Sequence, residues 1–125
     1  MKPDRKGFVS ASAINGGCAF YISHPYQGGI HMFNNPHYIT RGIASDLSPI
    51  LCAILWDCID QMPGEKDYLQ VFKVSTQHSQ TVFTHSQEQP PYSRTYRFTI
   101  DFGFTGTIFV IDDGDHSTML LAEEY

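Results

Sequence analysis

The densest concentration of chemistry in this 125-residue chain is Asp112-Asp113-Gly114-Asp115-His116, three carboxylates and an imidazole within five positions. Such a run offers oxygen and nitrogen ligands for a divalent cation. A calcium-binding loop, however, places acidic ligands at alternate positions and closes with a distant bidentate glutamate, which this run lacks. Asp-Gly between two apolar strands is the strongest short hairpin signal. The expectation is therefore a hairpin with Asp113-Gly114 at its tip and Asp112, Asp113 and Asp115 turned to water. A small-molecule or metal-binding domain built on residues 112–116 is the competing reading.

Other chemistry is sparse. The remaining histidines of the second half, His78 and His85, read as surface residues of a hairpin, and no HExxH, CxxC or close His pair links them to His37 or His116. No metal site is expected and no cofactor is implied. Cys18, Cys52 and Cys58 lack a basic neighbour that would lower a thiol pKa, no GxSxG elbow is present, and Gly103–Gly106 lies between strands rather than before a helix. No catalytic residue is expected, and the balance favours a protein that is not an enzyme. Trp56, which falls off the apolar stripe of its helix, is a candidate interaction residue because tryptophan supplies much of the energy at interface hot spots; a helix covered on two sides would instead bury it in the core. Asp112, Asp113, Asp115 and His116 join it as interaction candidates.

The elements that position these groups can be read from periodicity. Between Leu47 and Met62 the apolar residues Leu47, Ile50, Leu51, Ile54, Leu55, Cys58, Ile59 and Met62 draw one stripe down an α-helix. Ser48 is a capping residue and Pro49 suits the first helical turn. Strands are expected at residues 38–43 (YITRGI), from about residue 68 (YLQVFKVSTQ), and at 80–86, 93–101, 107–112 and 118–122. Tyr96, Phe98 and Ile100 alternate with polar residues, giving one buried and one wet face. Residues 107–111 are apolar on both faces and belong centrally. Short turns make consecutive strands antiparallel neighbours. The expected fold is α+β: a mainly antiparallel twisted sheet of about five strands with one long amphipathic helix packed on a face.

Length and charge bound the rest. The chain is long enough for one domain with a real core. Residues 1–31 carry a net charge of +2 and residues 32–125 a net of −7. Gly28-Gly29 reads as a linker and Met32 follows at once, so residues 1–31 are expected to be a disordered extension or an upstream translation, with 32–125 the single α+β domain. The acidic body disfavours nucleic-acid binding, which rests on Lys and Arg neutralising phosphates. No apolar run approaches the roughly 20 residues of a membrane span, and an odd, unpairable set of cysteines suits a reducing cytoplasm.

Three strings, YITRGI at 38–43, DYLQVFKVS at 67–75 and VIDDGDHSTMLLAEEY at 110–125, together with QEQPPY at 87–92, resemble a small Firmicute family known as domain of unknown function 960. The resemblance spans residues 32–125. It implies no activity and no site residue, and suggests a cytoplasmic accessory role in bacterial chromosomes, phage or mobile elements. The leading functional expectation is a small protein-interaction module or regulator with an unidentified protein partner. An acidic inhibitor of a nucleic-acid-binding protein is a further reading, since a net charge of −7 would attract a basic groove.

Overall fold

The computed structural model describes residues 8–9 and 32–125. Strand β1 (Phe8–Val9) is followed by β2 (His37–Thr40), helices α1 (Arg41–Asp46) and α2 (Pro49–Asp60), and strands β3 (Leu69–Gln77), β4 (Gln80–Gln87), β5 (Tyr92–Phe98), β6 (Gly106–Asp112) and β7 (Ser117–Leu121). A 3₁₀ turn over Ala122–Glu124 closes the chain. Apart from the backbone pairing of β1, the expectation for residues 1–31 lies outside the described residues.

The fold is α+β, but its sheet is mixed rather than simply antiparallel. Its order is β1-β2-β7-β6-β3-β4-β5, and β2 runs parallel to β7. The helices cause this. They carry the chain from β2 back to β3 in the same direction, three positions across the sheet, and β6 and β7 later fill the space between. Residues 93–101 and 107–112 were expected to pair, yet β6 lies beside β3 and not beside β5. The order β6-β3-β4-β5 is a Greek key. Its crossing segment, residues 99–105, is fastened over the end of the β3–β4 hairpin. There Thr81 Oγ1 donates to the Ile100 carbonyl at 2.8 Å and accepts from Phe102 N–H, while Thr76 Oγ1 donates to the Phe104 carbonyl at 2.6 Å. Residues 107–111 do lie in the interior of the sheet, as expected, between β3 and β7.

The strand expected at 38–43 ends early. Thr40 turns the chain into α1, its hydroxyl accepting from Ile43 N–H at 3.3 Å. A threonine three residues ahead of an available amide is as good a cap as a strand residue, and strand propensity alone missed it. Helix α2 begins as expected on Ser48, whose Oγ accepts from Leu51 N–H at 3.0 Å, with Pro49 in the first turn.

The buried face of α2 differs from the expected stripe. Leu51, Cys52, Leu55, Trp56, Cys58 and Ile59 are buried, Ile54 is half-buried and Ile50 is 66% exposed. At about 100° per residue the buried set spans an arc of roughly 160°, with Cys58 at one margin and Trp56 at the other. Those margins meet opposite ends of the sheet. Trp56 stacks on His37 of β2 at 3.9 Å, whereas the Cys58 thiol neighbours Tyr96 of β5. Flat, β2 and β5 would lie about 24 Å apart at the usual strand spacing. The sheet therefore curls into a trough with α2 lying in it. Ile39, Phe72, Val74, Phe83, Ile108, Val110 and Met119 form the floor of that trough.

Candidate functional site

The acidic hairpin is built for structure. Asp113 N–H donates to the His116 carbonyl at 2.8 Å, so the central pair of the turn is Gly114-Asp115, one residue later than expected. Gly114 has φ 99°, the positive value that a glycine at the first central position supplies. Asp112 does not face water as expected. It is 8% exposed and fully engaged: Oδ2 accepts from Phe33 N–H at 2.6 Å, and Oδ1 accepts from Gly114 N–H at 2.7 Å and Asn35 Nδ2 at 3.1 Å. Asn35 Oδ1 in turn accepts from Ser117 Oγ at 2.6 Å. Asp113 is half-buried and meets His116 at 3.4 Å, while Asp115 is exposed. The three carboxylates do not converge. Among the described residues no group of three or more His, Cys, Asp or Glu side chains could hold a metal ion.

Trp56 follows the second of its two readings and is buried. It is 6% exposed, because the curled sheet covers the flank of α2 that a flat one would leave open. It nevertheless joins the acidic hairpin indirectly. His37, stacked under Trp56, donates from Nε2 to the Phe33 carbonyl at 3.0 Å, and Phe33 N–H reaches Asp112. Trp56, His37, Phe33 and Asp112 thus form one buried chain that fastens residues 32–36 to the sheet. Phe33 holds φ 66°, a left-handed conformation that costs a bulky residue about 1–2 kcal/mol. Its buried ring and its bond to Asp112 hold it there.

A second polar group lies at the other end of the trough, and here the sequence reading missed the residues. His85 was expected at the surface. It is fully buried, stacked on Phe72 at 4.4 Å and edge-on to Tyr92 at 5.3 Å. Strand parity carries the missing signal: Thr81, Phe83, His85 and Gln87 alternate on one face of β4, and Phe83 marks that face as core. His85 Nε2 must carry the proton, because it donates to Gln70 Oε1 at 2.7 Å. Gln70 Nε2 donates to Gln87 Oε1 at 2.7 Å and to the Asp67 carbonyl at 2.9 Å, and Gln87 Nε2 donates to the Glu65 and Pro90 carbonyls. His85 Nδ1 is the one member left without a partner. Burial pushes the His85 pKa down to about 4, so the ring is neutral at pH 7.

Next to this network, β5 forms the outer wall. Tyr92, Arg94, Tyr96 and Phe98 share the trough-side face by register with Gln87, His85, Phe83 and Thr81. The Arg94 guanidinium lies over the Tyr96 ring, 5.7 Å from its centroid, and the neighbouring Tyr92 and Tyr96 push its pKa up. Burial pushes the Cys58 thiol up to about 11, partly countered by its hydrogen bond to Tyr96, and burial followed by the neighbouring Cys58 pushes Tyr96 up to about 12. Both groups are held protonated, the reverse of an activated nucleophile. Phe98, Phe102 and Phe104 lie half-buried beyond them and pack against the core. Ile50 and Ile54 occupy the same flank of α2 as Cys58, which helical geometry places toward β5. The result is an arginine over a tyrosine ring beside a strip of half-exposed apolar side chains. It runs along a strand whose outer edge pairs with nothing among the described residues.

Three comparisons bear on identity. No curated protein sequence matches the chain. A crystal structure of a protein of unknown function from Enterococcus faecalis is similar, with a TM-score of 0.68 at 23% identity, covering 78% of this chain and 98% of that one. A likeness at this identity shows the fold alone. A family model described as "Staphylococcal protein of unknown function (DUF960)" matches residues 36–124, which takes in β2 through β7, the acidic hairpin and the wall at β5. The chain belongs to that family.

Proposed function

We propose that this protein is a non-catalytic interaction module that takes up an extended segment of a partner protein along β5. The observation that carries this reading is the edge of β5, seven residues long and unpaired among the described residues, beside the apolar strip from α2. Such an edge presents unpaired N–H and C=O groups, and strand addition uses them for affinity while side pockets give selectivity. Two further observations support it. The titratable groups near the edge, Cys58, Tyr96 and His85, are shifted away from reactivity at pH 7. The acidic hairpin, the rival location, spends its buried carboxylate on internal bonds. Among the described residues no helix is long and apolar enough to cross a membrane. The same proposal places the protein in the cytoplasm, where the buried thiols of Cys52 and Cys58 stay reduced.

Selection of a displayed random-peptide library on the immobilised protein, followed by hydrogen exchange, tests the reading. Selected peptides are expected to protect amides of β5. Peptides that leave β5 unchanged and protect residues 112–117 would overturn it in favour of the hairpin.

A further inference from the structure

The charge on β5 runs against the charge of the molecule. Residues 32–125 carry twelve acidic and five basic side chains, yet two of the five, Arg94 and Arg97, lie on this edge strand, which has no acidic residue. Both are exposed, and among the described residues neither has a carboxylate in ion-pair range. Arg94 lies over the Tyr96 ring, so less freedom is lost when it grips an anion. Unpaired arginines on an edge guard against self-association, since two copies of β5 would bring like charges together. The same charges attract a strand of opposite sign.

Resting on strand addition at β5, we infer that the incoming segment is acidic in a defined pattern. Arg94 and Arg97 are three residues apart and so face opposite sides of the sheet, with Tyr96 on the same side as Arg94. An antiparallel partner strand, the more stable pairing, meets Arg97 first, then Tyr96, Thr95 and Arg94. The matching order is acidic, apolar, any residue, acidic. The first carboxylate meets Arg97 on the convex side and the second meets Arg94 on the trough side. Between them the apolar side chain lies against Tyr96 and Ile54. A nucleic acid is disfavoured, because two arginines offer little phosphate neutralisation on a body of net −7.

The probe is the capped peptide Thr-Val-Glu-Val-Thr-Glu-Val-Thr, titrated into ¹⁵N-labelled full-length protein and followed by amide shifts. It is expected to perturb β5. Replacing both glutamates with glutamine should weaken binding at least tenfold, and replacing them with lysine should abolish it. The exposed double variant Arg94→Glu/Arg97→Glu, checked for an unchanged melt, should lose the acidic peptide and gain the lysine one. Equal binding of the glutamate and glutamine peptides at β5 would overturn the acidic pattern and leave strand addition standing. A thymidine oligonucleotide that shifts β5 at lower concentration than the peptide would overturn it in favour of nucleic acid. If no peptide shifts β5, both the pattern and the reading beneath it fail.

Discussion

His85 acquires its character from strand parity. Sharing a face with Phe83 puts it in the core, and its neutral ring can satisfy only Nε2, through Gln70. Protonation would place a charge beside an unpartnered Nδ1 between aromatic rings. The sign of the linkage follows. A histidine whose folded pKa is lowered contributes stability that is fully present above the unfolded value of 6.5. That contribution is lost as pH falls toward the folded value of about 4. Across that window the loss is about 3 kcal/mol. Urea titrations between pH 7.5 and 4 should show this extra decline in the natural protein and its absence in His85→Leu. Parallel pH profiles for the two proteins would show that folding does not shift the His85 pKa.

At the scale of the element, α2 illustrates how one helix serves two walls. Its buried arc is wide because the trough contacts it on both flanks and below. This explains why Cys52 reaches Met119 on β7 at 3.7 Å while Cys58, six residues on, meets β5. Leu55 lies near the middle of the arc and is fully buried, whereas Ile50 lies outside it. Leu55→Ala is expected to cost 2–5 kcal/mol, the usual range for emptying a packed core site. Ile50→Ala should stay within about 0.5 kcal/mol. Denaturant unfolding measures both, and a large loss at Ile50 would mean that the helix docks by another face.

At the scale of the whole molecule, a clasp joins the 3₁₀ turn after β7 to the start of α1. Glu124 Oε1 accepts from Thr40 Oγ1 at 2.6 Å and from Leu121 N–H at 2.8 Å, while Oε2 accepts from Gly42 N–H at 3.1 Å. These bonds fix the 3₁₀ turn against the start of α1, and Tyr125 places its ring edge-on to Phe109 on the convex face of the sheet. A side chain at Gly42 has no room: its Cβ would fall 2.7 Å from both Glu124 Oε2 and Leu121 Cδ1. Glu124→Ala should cost about 2 kcal/mol, lowering the thermal midpoint by roughly 10 °C. Gly42→Ala should also destabilise, and the two should combine to less than their sum, since truncating Glu124 removes part of the obstruction. Additive losses in a thermal double-mutant cycle would mean the clasp does not act as a unit.

The sequence by itself determined the elements whose signals are local. Ser48-Pro49 set the start of α2, strand-like composition between turn signals set β3 and β4, and the apolar run at 107–111 set a strand in the interior of the sheet. It also determined the family, through strings that run the length of the body. Tertiary structure decided whatever depends on which surfaces meet. The parallel β2–β7 pairing, the Greek-key position of β6 and the curl of the sheet join residues far apart in the chain, and no periodicity encodes them. Those long-range choices fixed the candidate sites. Curling buried Trp56, the pairing of residues 32–36 with the hairpin internalised Asp112, and the end position of β5 put Arg94 and Arg97 on an edge that is unpaired among the described residues. An amphipathic pattern says that a face is covered. Only packing decides by what, and which flank stays open to a partner.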